Sequence, residues 1–252
     1  MTAPAGFVPA PGPGLRLEVL PAGEWAAAVA GRLAGQLMER PALRLCLPTG
    51  DTPTPVYAEL AAAERRGEVS FAGATVVLLD EWAGLPPGDP ARCDARLRRE
   101  LIDRLATPPV FVSIDADGPD DEAAALAHDS AARGLDLAVL GLGMNGHVGF
   151  NEPGSRPDDP TRLVRLAVSS REAATARYGA AMVPTAGITV GLARILEAEE
   201  CWLLVTGERK AQVLRRVLEQ PEGLDCPASY LRRHPWLTVF ADEPAASLLR
   251  KG

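Results

Sequence analysis

At 252 residues, with 47% hydrophobic and 23% charged side chains, the chain has the composition of an ordinary globular protein and is long enough to bury a large core as one domain. A formal net charge of −7 argues against nucleic acid or an anionic membrane as a partner, while leaving room for a local anion site. Cys46, Cys93, Cys201 and Cys226 are too scattered for a structural zinc.

The first fourteen residues, rich in Pro, Gly and Ala, predict a disordered lead-in, with the folded domain running from 15 to 252. They lack the basic start and apolar run of a signal peptide, and no apolar stretch reaches membrane-spanning length, so a reduced, cytoplasmic setting is expected. Leu15–Leu20 alternates like a short strand, and 22–40 carries apolar residues at helical spacing. Leu43–Leu47 predicts a buried strand, followed by a turn and a helix over 54–66. Ala74–Leu79 is another buried strand, ending at Asp80-Glu81-Trp82.

A proline-containing loop then leads to a helix around 93–105, a strand at 110–114, and a helix at 120–133 with acidic residues in its first turn. A strand at 135–140 feeds a glycine-rich segment. Strand and helix follow at 163–168 and 171–178, and 188–199 mixes helix and turn signals. A strand at 201–205, a helix from Gly207 to Leu218 and a strand at 236–241 complete the pattern. Such alternation predicts an α/β fold: a single-domain, open, mostly parallel sheet with helices on both faces, Rossmann-like in outline.

Gly141-Leu142-Gly143-Met144-Asn145-Gly146 satisfies GxGxxG after a strand. A dinucleotide fingerprint opens directly into a helix in the first βαβ unit. This one comes mid-chain and is followed by HVGFNEPG, where Gly149 and Pro153 interrupt any helix. A glycine-lined floor for another ligand is the better reading. His147 and Glu152, held in that loop, form a candidate acid/base pair. His128, on a helix with acidic company, reads as a surface residue, and His234 precedes Pro235 in a turn.

Thr49, Gly50, Asp51 and Thr52 lie between a strand and a helix, where backbone amides and hydroxyls suit phosphate. The same residues read equally well as a plain turn, with Asp51 as a helix cap pointing away. Asp80 and Glu81 follow a strand's carboxyl end, where sheet enzymes place catalytic groups. Alternation sends their side chains opposite ways, so they need not act as a pair. Trp82 adds an apolar wall that could raise a carboxylate's proton affinity. Lys210 and Lys251 are the only lysines; Lys210 reads either as a solvated first-turn residue or as a cation for a substrate anion.

Taken together, LPTGDTP at 47–53, LDEWAGLP at 79–86, GLGMNGHVGFNEPG at 141–154, ITVGLARILEAEE at 188–200 and LLVTGERK at 203–210 resemble the glucosamine-6-phosphate deaminase/isomerase family. That family belongs to a wider sugar-phosphate superfamily that includes 6-phosphogluconolactonases. The resemblance covers nearly the whole chain, and the DEW and GLGMNGH forms are similar to the galactosamine-6-phosphate branch. It implies conversion of an amino-sugar 6-phosphate and water to a ketose 6-phosphate and ammonia, with no metal or organic cofactor. By matching positions, His147 would assist ring opening with Asn145 and Glu152 as partners. Asp80 would move the proton from C2 to C1, and Thr49, Gly50, Asp51, Thr52, Arg177 and Lys210 would hold the phosphate.

The partner so implied is a small-molecule sugar phosphate, and a homo-oligomer stays open. Departures from the family pattern are Asn145, where many members have Asp, and Asp51, where Gly or Ser is usual. Arg177 matches only after a one-residue shift, with Arg171 as rival. Val164 occupies a position that is basic in regulated members, which argues against allosteric activation. A lactonase on the same scaffold is the alternative reading, set apart by Asn151-Glu152. A non-catalytic sugar-phosphate sensor is the third, and it gives Asp80 and His147 no purpose.

Overall fold

The computed structural model describes residues 14–116, 120–178 and 184–250, with the side chains at 169, 173 and 176–178 outside that description. The predicted lead-in, residues 1–13, therefore lies outside the described residues. In chain order the first half contains β1 (Arg16–Leu20), α1 (Trp25–Glu39), β2 (Arg44–Leu47), α2 (Thr54–Arg65), β3 (Thr75–Leu78), β4 (Asp80–Trp82), α3 (Cys93–Glu100) and β5 (Val110–Val112). Next come α4 (Asp121–Ala131), β6 (Leu137–Gly141), β7 (Arg162–Arg165), α5 (Val168–Tyr178), β8 (Ala186–Thr189) and α6 (Leu192–Leu196). The chain ends with β9 (Glu200–Val205), α7 (Ala211–Glu219), β10 (Leu237–Asp242) and α8 (Glu243–Ala246).

Seven strands form one sheet in the order β1-β10-β9-β6-β2-β3-β5, and every pairing within it is parallel. Alternation along each strand divides the core into two layers. Leu45, Leu47, Val76, Leu78, Leu137 and Val139 face one layer, shared with α1, α2 and α3. Cys46, Val77, Leu79, Ala138, Leu140 and Leu203 face the other, shared with α6 and α7. Burial on both faces is why these strands are continuous apolar runs. The order reverses between β2 and β6, so the loops leaving those two strands part and open a crevice at the sheet's carboxyl edge.

A second sheet, absent from the sequence-based expectation, has the antiparallel order β4-β8-β7. The chain enters it directly from β3: Leu79 N donates to Leu47 O at 3.1 Å, and the next residue, Asp80, already pairs with Thr189 of β8. The segment 188–199, whose signals were mixed, therefore splits into the end of β8 and the short α6. The predicted helix at 93–105 stops at Glu100, and a separate 3-10 turn covers Ile102–Arg104.

Glu81 anchors this junction. Its fully buried carboxylate accepts from the backbone N–H groups of Trp82 and Cys93, both at 2.8 Å, and of Asp94 at 2.9 Å, and Arg92 Nη2 lies 3.7 Å away. It thereby supplies the cap that α3 lacks locally.

His128 corrects an expectation. It is buried, with Nε2 2.7 Å from Leu78 O. Leu78 lies one residue past the β3–β5 ladder, so its carbonyl is bonded by the His128 imidazole, which burial keeps neutral by lowering its pKa. His234 is likewise buried, with Nε2 2.9 Å from Ala198 O.

Glu81→Ala should destabilise the fold by about 3 kcal/mol, since it strips buried amides and Arg92 of their carboxylate. Urea unfolding measures this, and a loss no larger than that of an exposed substitution would contradict the anchoring role.

Candidate active site

The crevice is a cleft of about 620 Å³ lined by the loops leaving β2, β3, β6 and β9 and by α5. Thr49, Gly50, Asp51, Thr52, Asp80, Asn145, His147 and Lys210 all line it. Glu152 stands behind His147. The side chain of Arg177 lies outside the described residues, and its rival Arg171 is not among the side chains lining the cleft.

After β6 the backbone turns back tightly, with Gly143 N donating to His147 O at 2.8 Å. A Cβ on Gly143 would sit 2.3 Å from His147 Nε2, so the absence of a side chain there makes room for the imidazole. Gly149 has φ +56°, and a Cβ there would lie 2.7 Å from Thr189 Oγ1 and 3.4 Å from Asp80 Oδ2. The histidine loop is thus laid directly against the carboxylate that opens β4.

Three side chains fix the imidazole. His147 Nδ1 is 3.3 Å from Glu152 Oε2, and Ser170 Oγ lies 3.5 Å from the same nitrogen. Asn145 Nδ2 donates to Glu152 Oε2 at 2.9 Å, while Asn145 Oδ1 accepts from His147 N at 3.1 Å. An amide can serve both partners, whereas a carboxylate at 145 would press its charge against Glu152. The tautomer that satisfies Glu152 carries its hydrogen on Nδ1, leaving Nε2 to exchange a proton in the cleft. Burial pushes the Glu152 pKa up, but hydrogen bonding and charge from His147, with Ser170 and Asn145, outweigh it and bring it down to about 2.

Asp80 has the opposite fate. It is only 7% exposed. Burial pushes its pKa up to about 7 against the opposing pull of His147 and a hydrogen bond with Cys93. Trp82 packs on Phe150 at 4.6 Å between ring centroids, and both rings line the cleft. Glu81 points away from the cleft, as strand alternation predicts. The two adjacent acids therefore have separate roles, one facing the cleft and one holding the fold.

At the other end of the cleft, the loop after β2 is braced by Tyr57 OH to Pro48 O at 2.6 Å and Thr54 Oγ1 to Gly50 O at 2.7 Å. The N-cap position of α2 is taken by Pro53, and the exposed Asp51 carboxylate meets Arg96 Nη2 through Oδ1 at 3.2 Å. Lys210 Nζ donates to Leu142 O at 2.6 Å, and burial, with Arg209 nearby, lowers its pKa to about 8. Its cleft position favours the substrate-facing reading over the solvated one.

Arg96, Cys93 and Ser170 were not singled out from the sequence. They carry no motif, and their partners are distant in the chain. The one available signal was helical spacing, since Cys93 and Arg96 stand one turn apart on α3.

Residues 21–239 match the model of the family described as glucosamine-6-phosphate isomerases/6-phosphogluconolactonase. The glucosamine-6-phosphate deaminase of Rhodopirellula baltica is 40% identical over 247 residues, which is 94% of this chain and 97% of that protein. The glucosamine-6-phosphate deaminase of Pseudarthrobacter chlorophenolicus is 42% identical over 231 residues, covering 87% and 88% of the two chains. The solved structure of a monomeric glucosamine-6-phosphate deaminase superimposes with a TM-score of 0.88 at 31% identity, covering 92% of this chain and 99% of that one. A 6-phosphogluconolactonase from Leishmania guyanensis, at TM-score 0.73 and 18% identity over 94% of this chain and all of that one, shares the fold.

The raised pKa of Asp80 has a consequence for stability. Between pH 4 and about 7 the folded carboxyl keeps a proton that the unfolded one has released, so this group's contribution falls as pH rises through that window. Asp80→Asn removes the penalty. The variant should be more stable than the parent by about 2–4 kcal/mol at pH 8 and equal to it at pH 4. Thermal melts at the two pH values test this, and a variant less stable at pH 8 would contradict the burial argument.

Proposed function

The chain belongs to the family of glucosamine-6-phosphate isomerases and 6-phosphogluconolactonases, and on that footing we propose that it catalyses the isomerising deamination of an amino-sugar 6-phosphate. Glucosamine 6-phosphate is the first substrate proposed, because the relatives are named for it. Galactosamine 6-phosphate is the comparison that the DEW and GLGMNGH forms motivate. One observation carries the reading. Two candidate proton-transfer groups, Asp80 with its pKa raised to about 7 and His147 backed by an ionised Glu152, face one cleft from the ends of β3 and β6 on either side of β2.

The phosphate is held by the loop from Thr49 to Thr52 with Lys210, and Arg177 is proposed as a further cation there. This anchor lies away from the reacting carbons and spends binding energy on orientation. His147 Nε2 transfers the proton that breaks the ring C–O bond and frees the C1 aldehyde. Asp80, as carboxylate, takes the proton from C2 while the substrate's ammonium yields one to O1, and the electron pair moves to give the enol with a neutral nitrogen still on C2. Asp80 then returns the proton to C1, leaving a C2 iminium. Water adds at C2 and ammonia departs, so amino-sugar phosphate plus water gives ketose phosphate plus ammonia. The overall C–N cleavage is thus hydrolytic.

A carboxylate suits the carbon-bound proton because it must both accept and return it near neutral pH, which needs a pKa near the operating pH. Among the described residues no helix is long and apolar enough to cross a membrane. Cys46, Cys93, Cys201 and Cys226 are all free and buried, which supports a reducing, cytoplasmic setting.

The purified chain should release ammonia and form a ketose 6-phosphate from at least one of the two amino-sugar phosphates. Asp80→Asn should lower the rate roughly a thousandfold. Opening of a sugar-phosphate lactone without ammonia release, or an Asp80→Asn variant of full activity, would overturn the proposal.

A further inference from the structure

Resting on the deaminase reading, we propose that Arg96 is a reserve cation of the phosphate end of the cleft: Asp51 holds its guanidinium until the substrate's phosphate takes Asp51's place. The geometry has three parts. First, Arg96 is only 8% exposed yet lines the cleft beside the loop from Pro48 to Pro53. Second, its plane is fixed along one edge, Nε donating to Glu100 Oε1 at 2.7 Å one helical turn on. Third, its Nη2 is aimed at the loop, 3.2 Å from both Asp51 Oδ1 and Thr54 Oγ1.

Thr54 ties this arrangement to the loop itself, since its hydroxyl also meets Gly50 O at 2.7 Å and Glu100 Oε2 at 2.8 Å. The guanidinium is therefore positioned by Glu100 and by Thr54, which is itself tied to the loop backbone, as well as by Asp51.

Asp51 and Glu100, which both meet Arg96, are unequal. Glu100 is nearly buried, with its side chain 13% exposed, whereas the Asp51 side chain is 79% exposed. An ion pair so open to water is weak and its carboxylate can rotate into solvent at little cost. A phosphate presents more charge than a carboxylate and matches the guanidinium fork with parallel hydrogen bonds. It therefore displaces Asp51 and leaves Glu100 where it is.

This exchange also explains how a carboxylate is tolerated in a phosphate loop. While Asp51 faces Arg96 its charge is neutralised, and once displaced it turns outward to water. The positive charge of Arg96 thus becomes available to the anion in the step that admits it. Asp51 is thus an occupant that competes with phosphate, and Arg96 is the group both compete for.

The test is a phosphorus NMR titration of the full chain with inorganic phosphate, with thermal melts to establish that each variant is folded. Arg96→Gln should weaken phosphate binding roughly ten- to hundredfold, and Arg96→Lys by less, since charge survives without the fork. Asp51→Asn should tighten binding about two- to fivefold, because the competitor is gone. The opposite signs are decisive. If the pair only braced the loop, breaking it from either side would weaken binding, so a weaker Asp51→Asn variant overturns the inference. An unchanged affinity in folded Arg96→Gln overturns it equally. A parent chain that binds no phosphate removes this inference together with the function it rests on, whereas Arg96-dependent phosphate binding without ammonia release removes the deaminase reading alone.

Discussion

The burial of one carboxylate, Asp80, is the constraint on which the rest of the site depends. The residue stands where the chain leaves the parallel sheet and pairs at once with Thr189 of the small antiparallel one. That junction denies the side chain water on most sides, and loss of hydration is what lifts its pKa to about 7. A carboxyl in open solvent would be ionised far below neutrality and would hold a carbon-derived proton too weakly to return it. Glu81, one residue on, secures the junction through the amides of Trp82, Cys93 and Asp94. The same dipeptide thus supplies the proposed base and the brace.

Two carboxylates, Asp80 lining the cleft and Glu152 behind His147, are driven in opposite directions by their surroundings. Asp80 is desolvated with little to hydrogen-bond its charge. Glu152 is also largely buried, yet His147, Ser170 and Asn145 compensate and bring it to about 2. Divergent tuning of neighbouring acids is how one site runs two proton transfers at one pH. Asn145 fits this division, because its amide donates to Glu152 while its carbonyl accepts from the His147 backbone. An amide at 145 thus leaves the ionised Glu152 as the carboxylate hydrogen-bonded to the His147 imidazole.

Much of the framework was legible in the sequence because the relevant physics is local. Strands buried on both faces are apolar runs, glycine allows tight approach, and alternation alone separates Asp80 from Glu81. Long-range pairing escaped. The three-stranded sheet joins short segments more than a hundred residues apart, and Ala186–Thr189 has no strong strand pattern of its own. His128 looked superficial because its acidic neighbours are in sequence, while its carbonyl partner Leu78 is not. The pairing of Asp51 with Arg96 was hidden for the same reason, since Arg96 lies on another helix. What the sequence hides here is which charged group faces which, since that depends on how α2 and α3 pack.

The central claim is that a single buried carboxylate carries the same proton from C2 to C1. Glucosamine 6-phosphate bearing deuterium at C2, turned over in ordinary water, tests it most directly. Limited access of water to Asp80 predicts that a measurable share of the deuterium appears at C1 of the ketose 6-phosphate. Complete loss of the label to solvent, with none at C1, would contradict a shielded one-base transfer.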